Sequence, residues 1–394
     1  MLHQIAVIFQ YIILVFFIIQ VAYLLFFSVV GKIVKGEEFP TASSLRRIRI
    51  FIPAYKEDAV IITTALDALR QDYPSSLFHV VIIADSCSEA TLNTLRSLPI
   101  TVIEVLFDKS TKGKALQQAI LKTSAEEVDI VVVLDADNHM SPGFLHKINN
   151  AFEKGYEIVQ GHRTAKDTRT AFAFLDACTE EINNHIFRRG HVAIGLPSAL
   201  IGSGMAFKYN LFTRLLSDIG DTSGEDKELE FRIMREQKKV AFLDGAYVLD
   251  EKVAHKDVFS SQRSRWLAMQ IEFLEKYFIE GWVQLFKGNI SFFNKVFQTF
   301  LLPRVMLVAA LLLWSGCVMV FMKQYILISS ILVISLAGSL LLGIPKRWYN
   351  RKLLQAFLQI PGSLLSMFYA MANMGKARKH FIHTPHGQTD QNHL

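Results

Sequence analysis

Long stretches without any charged residue lie at both ends of the chain and divide it into three parts. Residues 1–31 contain no Asp, Glu, Lys or Arg, and the same holds for 305–322, 324–345 and 353–375. A helix needs ~20 apolar residues to cross a hydrocarbon core ~30 Å thick. The pattern predicts an N-terminal transmembrane anchor over 1–31, a globular domain over 46–280 and two transmembrane helices within 304–345.

Basic residues beside these stretches indicate an orientation. Lys32 and Lys35 follow the first stretch directly, and Arg46 and Arg47 come soon after them. Lys and Arg concentrate on the cytoplasmic side of membrane proteins. We therefore expect a multi-pass protein of the plasma or inner membrane with its globular domain in the cytosol. No basic residue precedes the apolar stretch, so a retained anchor is favoured over a signal peptide.

The charge-free stretch nearest the C-terminus has a different character. It is interrupted by Pro361-Gly362 and followed by Lys376 and Arg378. A full crossing would leave these cations outside, and proline breaks a helix. We therefore predict an interfacial or re-entrant helix over 353–380 and a cytosolic tail over 381–394. Aromatic residues set among lysines predict interfacial helices over 281–303 as well.

Short β-branched runs alternate with helical patterns in the first half of the globular domain. The runs lie at 48–52, 80–84, 100–106 and 130–134. Strands that are apolar on both faces and separated by helices are typical of a parallel sheet covered on both sides. The predicted fold class is α/β with a mostly parallel sheet.

Polar side chains follow three of these runs. Tyr55 and Glu57 follow the first, Asp85 follows the second, and Asp135 and Asp137 follow the fourth. Ligands of open α/β sheets bind beyond the carboxyl ends of the strands, so we expect these groups to converge. Two carboxylates at this spacing suit a hard divalent cation that also takes phosphate oxygens. The alternative is that Asp137, or the asparagine after it, caps the next helix.

Three further clusters lie in the second half of the domain. The small-residue turn Gly202–Gly204 would let backbone approach a ligand closely, or is only a tight turn. Glu225 and Asp226 precede a helical run, where a carboxylate acts as a cap or as a general base. The run QRSRW at 262–266 offers Arg265 for a diphosphate and Trp266 for stacking, or forms a basic helix on lipid.

Composition excludes several other classes of protein. The net charge of +6 is a modest excess, much of it beside the apolar stretches, and the globular part lacks the basic, aromatic-laced face of a nucleic-acid-binding protein. The three cysteines have unrelated spacings, which fits neither a disulfide framework nor a zinc site. No Gly-x-Gly-x-x-Gly or Walker sequence supports dinucleotide or P-loop binding.

The order of these motifs resembles the family 2 inverting glycosyltransferases, and within them the membrane-bound branch that contains cellulose, hyaluronan and poly-N-acetylglucosamine synthases. The residues that carry the resemblance are Tyr55, Glu57, Asp85, Asp135-Ala136-Asp137, Gly202-Ser203-Gly204, Glu225-Asp226, Gln262 and Arg265-Trp266. The likeness covers about residues 46–280. It implies a glycosyltransferase A-type fold and a nucleotide-diphosphate-sugar donor, expected to be UDP-linked.

The resemblance also implies roles for individual residues. Asp226 would be the catalytic base, and Asp137, supported by Asp135, would hold Mg²⁺ or Mn²⁺. The donor-binding residues would be Tyr55, Glu57, Asp85, Lys114, Asp135 and Arg265. The acceptor-binding residues would be Gly202, Ser203, Gly204, Glu225, Gln262 and Trp266. In the segment Lys112-Gly113-Lys114, which matches a family segment near the donor, Lys114 is the preferred residue and a solvated helix start is the alternative.

Two features depart from the family pattern or extend it. Lys227 stands after Glu225-Asp226, where an apolar residue is usual. In the tail, Thr384 and His386 match a segment that closes over the donor in some synthases, with His386 in place of the usual Lys or Arg. The alternative for this segment is a disordered terminus.

Three functions follow from these observations. The first is transfer of a sugar to a glycan acceptor with inversion, in cell-envelope or exopolysaccharide synthesis. The second is addition of a single sugar to a lipid acceptor, as in ceramide glucosyltransferases. The third, a transporter or scaffold without catalysis, is disfavoured because it predicts charges inside the spans and leaves Asp135, Asp137 and Asp226 without a role.

Overall fold

A computed structural model describes residues 2–125, 128–220, 222, 224–251, 256–362, 364–365 and 368–369, with backbone only at 2, 3, 6 and 256–262. The strands are β1 (Ile48–Tyr55), β2 (Phe78–Asp85), β3 (Thr101–Val105), β4 (Ile130–Val133), β5 (His139–Met140), β6 (Ile158–Ala165), β7 (Met205–Lys208) and β8 (Ala241–Asp250). The helices of the globular part are α2 (Ile61–Ala68), α3 (Glu89–Arg96), α4 (Lys112–Lys122), α5 (Phe144–Glu153), α6 (Ala171–Asn183), α7 (Tyr209–Leu216), α8 (Glu225–Arg235) and α9 (Lys256–Phe286). The remaining helices are α1 (Leu2–Ile33), α10 (Ile290–Phe300), α11 (Arg304–Phe321), α12 (Ile326–Leu342) and α13 (Arg351–Phe357).

The eight strands form one sheet in the order β3-β2-β1-β4-β7-β6-β8-β5. The first four strands in this order, β3, β2, β1 and β4, are parallel to one another. Strand β7 runs antiparallel to β4 and β6, while β6 and β8 are again parallel. The α/β prediction is confirmed, including the four strands expected in the first half of the domain.

The first strands are buried on both faces, as their continuous apolar sequences require. Alternate residues of a strand point to opposite faces. Ile50 and Ile52 of β1 therefore join a core with α2 and α5, while Phe51 joins a second core with α4, α7 and α8. The sheet is thus the central layer of three, and its carboxyl edge is left free for ligands.

Strand β1 continues through Pro53 to Tyr55, beyond the predicted run 48–52. Phe51 accepts a hydrogen bond from Leu134 N–H (3.0 Å), on the side of β4. Pro53 points to the same side two residues later, where the ladder with β4 has already ended at Val133. Its missing N–H therefore costs no ladder hydrogen bond, because only β2 pairs with this part of β1.

The apolar helices at the two ends of the chain pack together. The described part of the chain has three helices long and apolar enough to cross a membrane, at Val7–Ile33, Arg304–Phe321 and Lys323–Leu342. They share an apolar cluster with α6 and α13. Helix α1 also contacts the π-helical segment Asn184–Gly190, and α12 contacts α6 of the globular part.

The aromatic segment predicted as interfacial divides into two helices. Helix α9 ends at Phe286, and Gly288, with φ of 82°, precedes α10. Phe292 is wholly buried against Phe231 of α8, so part of this segment belongs to the globular core. Phe286 is 87% exposed, so the interfacial prediction still applies to that face. Residues 370–394, with Thr384 and His386, lie outside the described residues.

Candidate active site

The ends of β1 and β2 form one side of the candidate site. Tyr55 and Asp85 are paired in register, and the next residues, Lys56 and Ser86, both adopt positive φ, 56° and 57°. Lys56 N–H donates to the carbonyl of Asp85 (3.0 Å), so both chains turn out of the sheet together. Asp85 and Glu57 are buried. Non-glycine residues in this conformation store strain of about 1–3 kcal/mol, which is commonest at functional sites.

The small-residue turn Gly202–Gly204 lies beside the turn after β4 and is hydrogen-bonded to it. Asp135 N–H donates to Ser203 Oγ (3.0 Å), and Ser203 Oγ donates to Asn138 Oδ1 (2.6 Å). Asn138 Nδ2 in turn donates to Asp137 Oδ1 (2.9 Å) and to Asp250 Oδ1 (3.0 Å). The predicted acceptor-side and metal-side motifs are therefore joined by hydrogen bonds.

Neither Asp137 nor Asn138 caps the helix that follows. The two residues after them form β5, and α5 begins later, at Phe144, after Gly143 with φ of 73°. The capping alternative for this motif was wrong, because a short strand pairing with β8 separates the aspartates from the helix. The two carboxylates remain at the carboxyl edge of the sheet.

Lys112 is the cation at the centre of the carboxylates. Its ammonium donates to Asp135 Oδ1 and to the carbonyl of Gly202 (2.7 Å), and it lies 3.9 Å from Glu225 Oε1. Burial opposes its charge, but the carboxylates of Asp135, Glu225 and Asp226 raise the pKa of Lys112 above its usual value.

The structure brings Lys112, rather than Lys114, into this cluster. Lys114 Nζ donates to the carbonyl of Lys109 (3.1 Å) on the exposed side of the helix start. Thr111 caps α4, so the two lysines are its first and third residues and point about 200° apart around the helix axis. Both lie in the motif that sequence reasoning selected, but it preferred Lys114, because the motif does not show where α4 begins and hence which lysine faces the acids.

Glu225 and Asp226 begin α8 and face the same cluster. Gly202 has φ of 82°, and a Cβ built there would lie 3.5 Å from Lys112 Nζ and 3.8 Å from Asp226 Oδ2. Burial raises the pKa of Glu225 to about 7, assisted by Asp226 and Asp135 and opposed by Lys112. The backbone of Gly202, the ammonium of Lys112 and the carboxylates of Glu225 and Asp226 thus lie close together.

The helix α9 contributes Arg265 and Trp266. Burial lowers the pKa of Arg265, while the carboxylates of Glu225, Asp226 and Asp135 oppose that shift. Its guanidinium therefore interacts electrostatically with the same three carboxylates as the ammonium of Lys112. Trp266 is 37% exposed, and the guanidinium of Arg263 lies 4.3 Å from its ring centroid. The side chain of Gln262 lies outside the described residues.

Arg163 of β6 is a further cation near the site. Its Nη2 donates to Glu180 Oε2 (3.0 Å), and its Nη1 lies 4.0 Å from Asp135 Oδ2. The same guanidinium lies 3.8 Å from Asp250 Oδ2. Sequence reasoning missed Arg163 because it sits within an ordinary strand, and only the pairing of β6 with β8 brings it to the carboxyl edge.

The carboxylates suit a metal that is held partly by substrate. Among the described residues, no group of three or more His, Cys, Asp or Glu side chains is arranged to hold a metal ion. Mg²⁺ is usually bound by one or two carboxylates together with waters and substrate phosphates. Lys112 contacts Asp135 Oδ1, and Asn138 Nδ2 donates to Asp137 Oδ1 (2.9 Å).

Comparisons with known proteins identify the domain. A family model described as "Glycosyltransferase like family 2" matches residues 46–268. The chain is 21% identical over 245 residues to the "Probable glycosyltransferase YdaM" of Bacillus subtilis (strain 168), an alignment that covers 59% of this chain and 58% of that protein. The chain thus spans less than two thirds of the curated relative that it matches.

The fold is also found in a solved structure. The mannosyltransferase PcManGT from Pyrobaculum calidifontis, solved in complex with GDP-Man and Mn²⁺, has a TM-score of 0.51 and 15% identity, over 84% of this chain and 97% of that chain. Glucosyl-3-phosphoglycerate synthase from Mycobacterium tuberculosis, solved with Mn²⁺, UDP and glucosyl-3-phosphoglycerate, has a TM-score of 0.39 and 17% identity, over 55% of this chain and 75% of that chain. The first likeness shows a common fold.

Proposed function

Because the chain belongs to the glycosyltransferase-like family 2, we propose that it transfers a sugar from a nucleotide-diphosphate-sugar, UDP-linked, to a glycan acceptor with inversion at the anomeric carbon. The observation that carries the proposal is the cluster of Lys112, Asp135, Gly202, Glu225 and Asp226 at the carboxyl edge of the sheet. The transferred unit is a hexose or an N-acetylhexosamine. The product belongs to a cell-envelope or exopolysaccharide.

Direct displacement requires a base and a stabilised leaving group. Asp226 is our base for the acceptor hydroxyl, a role supported by its position beside the Gly202 turn. Arg265 is our ligand for the diphosphate, because a guanidinium pairs with phosphate oxygens in a bidentate manner. Preorganised charges of this kind stabilise the charge that develops on the leaving group.

Other residues complete the proposed site. Asp137, supported by Asp135, would hold Mg²⁺ or Mn²⁺, which supplies electrostatic stabilisation of the diphosphate when bound. Tyr55, Glu57 and Asp85 would bind the nucleoside at the ends of β1 and β2. Trp266 would stack on the acceptor, a role that its partly exposed ring supports.

The substitution Asp226→Asn tests the proposal. It removes the base but keeps the size of the side chain, so donor binding should persist while turnover falls by ~10²–10⁴-fold. Donor binding is measured as thermal stabilisation of the purified chain by UDP-sugars with Mn²⁺, and turnover as transfer of radiolabelled sugar in membranes. Asp218→Asn is the matched control, because Asp218 is exposed and lies outside the cluster. Unchanged turnover in Asp226→Asn would refute the assignment of the base.

A lipid acceptor is the second candidate function. The observation that favours it is the small number of apolar helices: three in the described part of the chain make a thin wall for a polymer channel. The radiolabelled product separates the two functions, because a glycolipid partitions into organic solvent and a polysaccharide does not.

A further inference from the structure

A small cavity lies where the last turns of α1 and α12 meet the globular domain. Its volume is about 160 Å³. Lys32 comes from the end of α1 and Arg347 from the segment after α12, while His162, Glu181, Arg189 and Asp244 come from the globular domain. None of these six residues belongs to the candidate active site.

Close contacts between the helices and the globular domain build the frame of the cavity. A Cβ at Gly31 of α1 would lie 3.0 Å from the carbonyl oxygen of His185, and one at Gly343 would lie 3.0 Å from Cα of Ile182. Glycine therefore permits both helix ends to approach the domain. Ser28 accepts a hydrogen bond on its carbonyl from His185 Nε2 (2.8 Å), which fixes the same junction. The cavity is thus preformed, as small-ligand sites usually are.

The lining of the cavity is positively charged overall. His162 lies between Asp244 Oδ1 (3.0 Å) and Glu181 Oε2 (3.0 Å). Burial disfavours its charge, but these two acids raise the pKa of His162 to about 9, so it is protonated at neutral pH. Arg189 is paired with Asp244. The carboxylates of Glu181 and Asp244 are therefore already paired with the cations of His162 and Arg189.

Lys32 and Arg347 bring the excess charge. In the part of the chain that the structure describes, the ammonium of Lys32 and the guanidinium of Arg347 make no hydrogen bond or ion pair, and both residues are exposed. With His162 and Arg189 they give four cations against Glu181 and Asp244, a net charge of about two. The cavity is small compared with the ~300–1,000 Å³ of drug-sized ligand sites, so it fits a compact anion.

The position of the cavity indicates which anion it binds. Lys32 and Arg347 lie at the ends of two helices apolar enough to cross a membrane, where phospholipid phosphates lie. The positive-inside rule accounts for cations near this boundary. It does not require two of them to line one cavity with Arg189 and His162 of the globular domain. We propose that the cavity binds the phosphate of an anionic membrane phospholipid and so joins the globular domain to the bilayer, a property beyond sugar transfer.

The test uses the full chain purified in a neutral detergent and titrated with short-chain phosphatidylglycerol. Phosphatidylcholine is the reference lipid, because it is zwitterionic and its phosphate is neutralised by its own ammonium group. The double substitution Lys32→Gln with Arg347→Gln should weaken binding of phosphatidylglycerol about 25-fold, because each cation beside an anionic lipid contributes roughly fivefold. Thermal unfolding in phosphatidylcholine checks that the variant is folded.

The matched control removes two cations from the same end of the molecule. Lys346→Gln with Lys352→Gln changes the net charge equally, but neither residue lines the cavity, so binding should change by less than about threefold. Equal losses in the two variants would show unspecific attraction and overturn the proposal. So would equal affinity for the two lipids, or inorganic phosphate binding as tightly as the lipid, since free phosphate would then be the ligand.

Discussion

The ammonium of Lys112 compensates the negative charge of the carboxylates of Asp135, Glu225 and Asp226. It touches Asp135 and Gly202 and lies 3.9 Å from Glu225, with its side chain 19% exposed. Carboxylates crowded into a partly buried space repel one another unless a cation compensates them. Lys112 therefore stabilises the site before any donor binds.

The substitution Lys112→Met should cost both stability and activity. Removing one partner of a buried ion pair typically costs about 3–5 kcal/mol, because the other charge remains without compensation. Sugar transfer should also fall by at least ~10²-fold, since a fixed charge near the leaving group is lost. Thermal unfolding and the radiolabelled transfer assay measure the two effects.

Lys114→Met is the matched control for Lys112→Met. It removes the same charge two residues away, where the ammonium contacts the carbonyl of Lys109 at the surface. We expect a change in stability within about 0.5 kcal/mol, as is usual for surface substitutions. A larger loss of transfer in Lys114→Met than in Lys112→Met would mean that the donor is bound on the other side of the helix start.

The sequence predicted which segments form the candidate site more reliably than it predicted which side chains face it. The family resemblance assigned the motifs around Asp135, Gly202 and Asp226 to one site, and the structure brings them together. The choice between Lys112 and Lys114 depended on where α4 begins, which a motif does not specify. Arg163 carried no local signal at all, because its place near Asp135 arises from pairing between strands distant in sequence.

At the scale of elements, a buried ion-pair network positions the helix that carries Asp226. Glu230 of α8 is wholly buried and accepts hydrogen bonds from Leu200 N–H (2.9 Å) and Lys227 Nζ (3.0 Å). Lys295 of α10 lies 2.5 Å from the same carboxylate. The network ties α8 to α10 and to the loop that leads to Gly202. It also explains Lys227, which departs from the family pattern: its ammonium pairs with Glu230.

The substitution Lys295→Met should loosen this junction. Burial lowers the pKa of Lys295 to about 8 even beside Glu230, so the pair is strongly desolvated. We expect a loss of about 3 kcal/mol, seen as a fall in melting temperature of roughly 5–10 °C. Lys287→Met, at an exposed position after α9, should leave the melting temperature unchanged.

The double substitution Lys295→Met with Glu230→Gln gives a second measurement of the same junction. Lys295→Met leaves buried Glu230 with Lys227 as its cation, and Glu230→Gln then removes the buried charge while the partly exposed Lys227 ammonium stays hydrated. Part of the lost stability should therefore return. If Lys295→Met alone is as stable as Lys287→Met, the contact between α8 and α10 does not depend on this ion pair.

Periodicity predicted some elements and missed others for a physical reason. Strands β1 to β4 contain runs rich in β-branched residues and were predicted from them. Strand β8 alternates less clearly and pairs with β6 across a bulge between Gly161 and His162, so its register depends on tertiary contacts. The buried face of α10 was interpreted as interfacial because aromatic residues look alike against lipid and against a core.

At the scale of the whole molecule, the apolar helices have a defined relative direction. Tyr11, in the first half of α1, meets Tyr325, directly before α12, with ring centroids 6.4 Å apart. Ser28 Oγ donates to the carbonyl of Ser339 (2.7 Å) near their ends. The two helices are therefore parallel. Arg304 at the start of α11 donates to the carbonyl of Thr179 (3.2 Å), so α11 begins beside the globular domain and runs the opposite way.

This arrangement makes a definite prediction about topology. The connection between α11 and α12 lies at the end away from the globular domain, and the segment after α12 lies beside it. With the domain in the cytosol, a cysteine introduced at Gln324 should react with a membrane-impermeant maleimide in intact cells, while one at Asn350 should react only after permeabilisation. Both positions are exposed, and the parent protein, with its own cysteines, gives the background labelling. The reverse pattern would put the globular domain outside. Labelling of both positions in intact cells would mean that α12 does not cross, and the lipid cavity at Lys32 and Arg347 would then lose its membrane boundary.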